Sequence, residues 1–178
     1  GACPKFNTTV YIHNKGLTLN GTDNSIMLSV SLVASKTVGT ISCWVKTNST
    51  SSGAVGGNPC YSEGYTGASV PFFYLEIDHT TGKGNLFIHD GTSSVNLKES
   101  FIRDGNWHHL VGVREALNSH KLYVDGILVA SSSTSLSADT TSNKFSIGTA
   151  YEFGNKETFN GTIDEVAVWN RSLSASEI

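Results

Sequence analysis

Charged residues and long apolar runs are both scarce in this chain of 178 residues. Charged side chains make up 15% of it and the net charge is -3 at pH 7, so it lacks the basic surface that nucleic-acid phosphates require. No apolar run approaches the roughly 18 residues of a membrane span, and no hydrophobic signal core opens the chain. We therefore predict no nucleic-acid partner and no direct insertion of this segment into a membrane.

Cysteine is also sparse. Cys3, Cys43 and Cys60 are too few and too irregularly spaced for a zinc site, which usually needs paired ligands at short spacing. In an oxidising compartment two of them would pair. Cys43 with Cys60 closes the shortest loop and is the favoured disulfide, whereas Cys3 with Cys60 and three free thiols remain as alternatives.

What the chain has in abundance is serine, threonine, asparagine and glycine, which together make up 74 of the 178 residues. Between them, short runs alternate apolar and polar residues, as half-buried strands do. The clearest runs are Ile41, Cys43 and Val45; Phe73, Leu75 and Ile77; and Trp107, His109, Val111 and Val113. The segment Lys121 to Ala130 reads as a hairpin around Asp125-Gly126. We predict an all-β domain over residues 1–178, a two-sheet antiparallel β-sandwich.

Two longer segments break this alternation. Asn48 to Val70 is rich in glycine and serine and holds Tyr61 and Tyr65, and Ser131 to Asn143 is rich in serine and threonine. Long loops in compact domains are usually functional or mobile. We expect the first loop to belong to a binding site because it carries aromatic residues.

Five sequence blocks carry a family resemblance. They are GLTLNGTDNSIML (16–28), TISCWVK (40–46), DGNWHHLVGV (104–113), KLYVDG (121–126) and FNGTIDEVAVWNRSLSASEI (159–178). In order and spacing they resemble the laminin-G-like, concanavalin A-like jelly-roll superfamily. The resemblance implies a jelly roll with one concave sheet, found at the cell surface or outside the cell, that binds glycans or partner proteins. It also implies one module of a longer protein with neighbouring domains.

The resemblance permits a test for hydrolase activity. Jelly-roll glucanases carry Glu-x-Asp-x-x-Glu on a concave strand, and this chain has Glu76 and Asp78 but Thr81 in the last position. Asp164 and Glu165 are adjacent and would face opposite sides of a strand. Without a second carboxylate no acid/base or nucleophile pair is placed, so we predict a non-catalytic module.

Adjacent His108 and His109 are candidates for a metal or a proton relay. Neighbours on a strand point to opposite faces, so the two rings cannot converge on one atom. We predict that His109 is a hydrogen-bonded core histidine on the face of Trp107, Val111 and Val113.

Calcium is the cofactor that the resemblance suggests. Related jelly rolls hold the ion with an aspartate at the start of the last strand and with oxygens near the N-terminal turn. Asp164 occupies the first place, and Asn20, Gly21 and Asp23 supply the other candidate oxygens, which this ion accepts. The alternative is that Asp164 caps a turn and Asp23 is solvated.

A glycan-binding site requires exposed aromatic faces beside hydroxyl and amide groups. Four aromatic side chains lie opposite the core residues of their strands and would form a platform, with loop aromatics as its walls. The strand residues are Trp44, Tyr74, Phe87 and His89, and the loop residues are Tyr61, Tyr65, Tyr151 and Phe153. The alternative is that the strand aromatics pack under a covering loop, which makes the loop tyrosines the better candidates.

Five N-glycosylation sequons favour a glycosylated surface protein. They begin at Asn7, Asn20, Asn48, Asn160 and Asn170, of which Asn170 follows Trp169 and is expected to be inaccessible. Together these observations predict an extracellular recognition module with a carbohydrate-binding or adhesive role, whose partner is a glycan or a cell-surface protein. A protein-interaction module without a sugar site is the alternative.

Overall fold

The computed structural model describes residues 16–22, 24–28, 36–50, 57–64, 71–138, 145–152 and 155–178, except for the side chains of 151, 152, 155 and 156. Fourteen strands lie in this part of the chain. They are β1 (Leu17–Asn20), β2 (Ile26–Leu28), β3 (Gly39–Lys46), β4 (Gly57–Gly64), β5 (Phe72–Asp78), β6 (Lys83–His89), β7 (Ser94–Phe101), β8 (Trp107–Ala116), β9 (Ser119–Val124), β10 (Ile127–Ser132), β11 (Phe145–Ile147), β12 (Thr149–Glu152), β13 (Asn155–Thr158) and β14 (Asn160–Trp169).

The strands form two six-stranded antiparallel sheets that pack face to face. Sheet one has the order β1-β14-β3-β8-β9-β10, and sheet two has the order β2-β11-β4-β5-β6-β7. The short hairpin β12–β13 lies against β4. The described residues include no helix that is long and apolar enough to cross a membrane. The predicted all-β, two-sheet antiparallel sandwich is confirmed.

Strand β3 shows how the alternation becomes two faces. Ile41, Cys43 and Val45 are fully buried between the sheets, whereas Trp44 and Lys46 are exposed on the outer face of sheet one. Apolar burial of this kind is the main force that holds the sheets together.

A disulfide joins Cys43 of β3 to Cys60 of β4. It therefore links sheet one directly to sheet two at the centre of the core. The favoured pairing from the sequence is confirmed.

The predicted hairpin is also present. Asp125 and Gly126 have φ angles of 52° and 77°, and the positive angle at both positions is typical of the type I′ turn that Asp-Gly favours. The turn joins β9 to β10, which pair antiparallel.

The sequence predicts one loop over Asn48 to Val70, but in the structure this glycine-rich segment is not a single loop. It contains β4, whose eight residues are all buried and which lies between β11 and β5. A strand covered on both faces has no polar face to alternate with, so the usual pattern is absent. Cys60 and Tyr61 are consequently core residues.

Strand β8 has the opposite orientation from the expected one. Leu110 and Gly112 face the space between the sheets, where an added Cβ at Gly112 would come within 2.8 Å of Leu86. Val111 and Val113 lie on the outer face, in a separate small cluster with Tyr123 and Ile178. His109, on the same face as these valines, is therefore not in the main core.

Candidate functional site

The outer face of sheet one carries a groove of about 490 Å³, here called the tryptophan groove. Strands β3, β8 and β14 form its floor, and the segment that follows β14 forms one side. The residues that matter for its chemistry are Ser42, Trp44, His109, Glu165, Trp169 and Glu177.

Trp44 is the principal aromatic surface in this groove. Its side chain is 38% exposed, and its indole stacks on His109 of the neighbouring strand, with ring centroids 5.1 Å apart and planes 19° apart. His109 is itself fixed, because its Nε2 lies 2.6 Å from the Ser42 hydroxyl. The indole is thus held in one orientation while part of it stays open to solvent.

His109 contributes no positive charge to the groove at neutral pH. Burial lowers its pKa, and the nearby carboxylates Asp125 and Glu165 offset this only in part, so the pKa stays below its usual value. Its backbone N–H donates to Asp125 Oδ1 at 2.8 Å, which ties the floor of the groove to the β9–β10 turn.

Glu165 lies at a β-bulge in β14, where the register with β3 shifts between Asp164 and Ala167. Its φ of 46° is in the left-handed region, which is costly for a residue other than glycine. The side chain is exposed, and Asp164 Oδ1 accepts a hydrogen bond from the Glu165 N–H at 2.8 Å. Strained residues of this kind are concentrated at functional sites.

Trp107 extends the aromatic surface beyond the groove. It lies opposite Lys46 on β3 and is therefore a diagonal neighbour of Trp44 on the same face. The side chain is 40% exposed. Its indole reaches across the sheet toward Gly16, where an added Cβ would lie 3.1 Å from it.

The side of the groove formed by residues 170–178 is held by one carboxylate. Glu177 accepts hydrogen bonds from Arg171 Nη2 at 2.8 Å and from the Ser174 N–H at 2.9 Å. These contacts lower the Glu177 pKa to about 2, so the group is charged at neutral pH and is already engaged.

The aromatic platform expected from the sequence is divided between the two sheets. Tyr74, Phe87 and His89 lie on the outer face of sheet two, whereas Trp44 lies on the outer face of sheet one. Tyr74 is 1% exposed and packs with Phe72 and Phe87, and Ala150 of β12 belongs to the same cluster. For Tyr74 the alternative, packing under a covering segment, is confirmed.

His89 and Phe87 remain partly exposed at the edge of that cluster. Phe72 stacks on His89 with ring centroids 5.4 Å apart and meets Phe87 edge-on at 4.7 Å. The aromatic side chains of this second surface are more covered than Trp44.

The loop tyrosines give a mixed result. Tyr61 is fully buried in the main core, and its hydroxyl hydrogen-bonds to Glu63. Burial, together with the charge of Glu63, raises the Tyr61 pKa far above its usual value. It is therefore no binding residue in this structure, because β4 is a strand and not a loop. Tyr65 and Phe153 lie outside the described residues, as does the side chain of Tyr151 in β12.

Of the expected calcium ligands, Asn20 and Asp164 lie apart in the structure. Asn20 pairs with Asn160 at one end of β14, whereas Asp164 lies four residues along that strand, about 13 Å away at the usual strand rise. Asn20 Oδ1 accepts from the Thr22 N–H, and Asp23 lies outside the described residues. Asp164 Oδ1 accepts a hydrogen bond from the Glu165 N–H at the bulge. No cluster of three or more metal-binding side chains occurs in the part of the chain that the structure describes.

Glu76 and Asp78, which match part of the glucanase motif, make structural contacts. Asp78 Oδ1 accepts from the Thr81 N–H at 2.7 Å, and Asp78 Oδ2 pairs with Lys98 at 2.7 Å. Glu76 Oε1 accepts from Asn85 Nδ2 at 2.7 Å.

One further carboxylate lies near Glu76 and was not placed by the sequence motif. Glu157 of β13 accepts a hydrogen bond from the Gly57 N–H at 3.2 Å, while an added Cβ at Gly57 would lie 2.1 Å from Glu76 Oε2. Both carboxylates are buried, so in this structure neither is open to a substrate.

His108 and His109 point to opposite faces of β8, as predicted, but His108 joins two turns. Its Nδ1 lies 2.8 Å from Asp125 Oδ2 and its Nε2 lies 3.2 Å from Asp104 Oδ1. Burial lowers the His108 pKa, yet these two hydrogen bonds and charges outweigh it and raise the pKa above its usual value.

The candidate glycosylation sites differ in their surroundings. Asn20 and Asn48 are exposed, whereas Asn160 is half-buried and donates its side-chain amide to the Ser49 hydroxyl at 3.0 Å. Asn170 is exposed, contrary to expectation. Asn7 lies outside the described residues.

Trp169 and Glu165 line the groove and Trp107 lies beyond it, and the sequence predicts none of the three as a binding residue. The sequence predicts Trp107 in the core because it alternates with His109, Val111 and Val113. A usable signal was present for Glu165, since its acidic neighbour and the VAV run after it place a polar residue inside an apolar strand.

A protein-family model described as the concanavalin A-like lectin/glucanases superfamily matches residues 20–178. No curated protein sequence matches the chain. Solved structures match over nearly the whole chain, although their sequence identity is low.

The CBM40 of the Ruminococcus gnavus IT-sialidase bound to α2,3-sialyllactose is 21% identical, with a TM-score of 0.69 over 91% of each chain. Domain 4 of an extracellular arabinanase from Geobacillus stearothermophilus, in complex with arabinotriose, is 21% identical, with a TM-score of 0.64 over 92% of this chain and 81% of that one. Domains LG4-5 of the mouse laminin α1 chain are 16% identical, with a TM-score of 0.61 over 99% of this chain and 47% of that one. At these identities the similarity establishes the fold.

Proposed function

The chain belongs to the concanavalin A-like lectin/glucanases superfamily, and from that premise we propose that it is a non-catalytic carbohydrate-binding module whose glycan site is the tryptophan groove. Two of its structural neighbours are described in complex with α2,3-sialyllactose and with arabinotriose. Those ligands belong to the neighbours, and they support a glycan as the class of partner for this chain.

The observation that carries the proposal is the held but open indole of Trp44. The ring stacks on His109, and Trp44 is nevertheless 38% exposed, so an aromatic face in a fixed orientation is open to a ligand. Sugar rings present apolar C–H faces bordered by hydroxyl groups, so they fit an aromatic face with polar groups beside it. Glu165 supplies such a group in the same groove.

The setting that we propose is extracellular. The Cys43–Cys60 disulfide is of a kind that persists in oxidising compartments. The arabinanase neighbour is described as extracellular, which supports the same assignment.

The test is a glycan array followed by calorimetric titration of each glycan that binds. We expect Trp44→Ala to weaken binding at least tenfold, because aromatic anchors at binding sites commonly contribute more than 1 to 2 kcal/mol. Trp107→Ala is expected to weaken binding of longer oligosaccharides only. Phe101→Ala is the matched control, since Phe101 is 57% exposed on sheet two, and it should leave affinity unchanged.

Two outcomes would contradict the proposal. If Phe87→Ala abolished binding while Trp44→Ala did not, the site would lie on sheet two. If no glycan bound at all, the alternative of a protein-interaction module would be favoured.

A further inference from the structure

We infer that the tryptophan groove selects uncharged glycans, with Glu165 accepting hydrogen bonds from sugar hydroxyls, and that it disfavours sialylated chains. This inference rests on the proposed function and specifies its ligand class. The ligand class inferred for this chain differs from the ligand of the structural neighbour that is described as bound to α2,3-sialyllactose.

The first support is the charge of the groove. The ionisable side chains among the described residues that line it are Glu165, Glu177 and His109, with no lysine or arginine. His109 is neutral at pH 7 because burial lowers its pKa, and Glu177 is already paired with Arg171. The carboxylate of a sialic acid would therefore find no cation within the groove and would be repelled by Glu165.

The second support is the chemistry of a carboxylate acceptor. An ionised carboxylate accepts two or more hydroxyl hydrogen bonds, and these are stronger than bonds between neutral groups. Glu165 is exposed and lines the same groove as the open indole of Trp44. A sugar that stacks on the indole thus has an acceptor beside it for its hydroxyl groups.

The third support is the backbone at the bulge. The left-handed φ of 46° at Glu165 is a conformation that glycine adopts without strain. A glutamate there costs stability, and the groove gains a carboxylate that glycine would not supply. Strained side chains are concentrated at functional positions.

Among the described residues, two cations lie near the groove: Arg171, which is paired with Glu177, and Lys46, which has to be tested. Lys46 is exposed on the same outer face, two residues beyond Trp44 and opposite Trp107. It does not line the groove, but its long side chain is the nearest alternative partner along β3 for an anionic sugar.

The experiment titrates the whole chain with arabinotriose, lactose and 3′-sialyllactose, together with any neutral glycan that an array identifies. We expect the wild type to bind its best neutral glycan at least tenfold more tightly than the sialylated form of the same glycan. Glu165→Gln keeps the shape of the side chain and should weaken neutral binding about tenfold, because it removes a charged acceptor. Glu165→Gln should also reduce the ratio of the affinity for the neutral glycan to the affinity for its sialylated form. Lys46→Ala should change neither the affinity for the neutral glycan nor the affinity for its sialylated form.

The outcomes separate this inference from the proposed function. Binding of 3′-sialyllactose that is as tight as that of lactose and is lost in Trp44→Ala would keep the glycan site and overturn the neutral preference. Neutral binding that Glu165→Gln leaves unchanged would overturn the role of Glu165. If the wild type bound no glycan at all, the proposed function itself would be refuted.

Discussion

Replacing Glu165 with glycine should make the protein more stable and a weaker binder. A left-handed φ costs about 1–2 kcal/mol for a residue other than glycine, and Glu165 has a φ of 46°. Glycine in a strand lowers the free energy of unfolding by about 0.5–1 kcal/mol, because it gives the unfolded chain greater conformational freedom. Because the side chain is exposed and the N–H bond to Asp164 Oδ1 is a backbone contact, little else is lost.

The net expectation is a gain of about 0.5–1 kcal/mol in the free energy of unfolding. For a domain of this size that corresponds to a rise of about 1–3 °C in the melting temperature. Urea unfolding with the disulfide intact measures the first quantity, and calorimetry measures the second. Titration with the best neutral glycan should show that affinity falls by at least as much as in Glu165→Gln.

Ser100→Gly is the matched control. Ser100 has a φ of 59° at a bulge in β7, on the edge of sheet two. It should gain similar stability while affinity stays the same. A Glu165→Gly variant that melts lower than the wild type would refute the strain argument, and unchanged affinity would refute the binding role.

Two further predictions concern stability alone. Replacing both Cys43 and Cys60 with alanine should lower the free energy of unfolding by about 3 kcal/mol, the value for a loop of this length; a urea midpoint within error of the wild type would contradict it. His108→Gln should cost stability chiefly at acidic pH, because a pKa raised by Asp125 and Asp104 stabilises the fold below the unfolded pKa of about 6.5. That contribution should disappear as the pH rises through the folded pKa, so melting curves of the two proteins should converge above it. A gap that stays constant across pH would show that the imidazole acts without titrating.

The architecture was predictable from the sequence because alternation and turn chemistry agree. Ile41, Cys43 and Val45 do face the core, and Asp125-Gly126 does form a hairpin turn with two positive φ angles. These are local signals, and each is strong enough to be read without knowledge of its neighbours.

The site was less predictable because it depends on which face of a strand is outside. On β8 both faces carry apolar residues, since Val111 and Val113 pack with Tyr123 and Ile178 on the outer face. On the inner face Gly112 leaves room for Leu86. Alternation alone then assigns the larger side chains to the core, which is how Trp107 was misplaced.

Residues that lie far apart in sequence posed the same difficulty. Asp164 was placed with Asn20 by family resemblance, but the register of β1 on β14 separates them. Pairing register depends on the whole sheet, so a single sequence gives it only where a tight hairpin fixes it.

All three tryptophans of the chain, Trp44, Trp107 and Trp169, lie on one side of the molecule, the outer face of sheet one. Indole fluorescence therefore reports on that face alone. In the described strands of sheet two the fluorescent side chains are tyrosine and phenylalanine. Unfolding followed by tryptophan fluorescence and by backbone circular dichroism should coincide if the two sheets melt together. Emission that changes before the circular dichroism does would show that sheet one opens first.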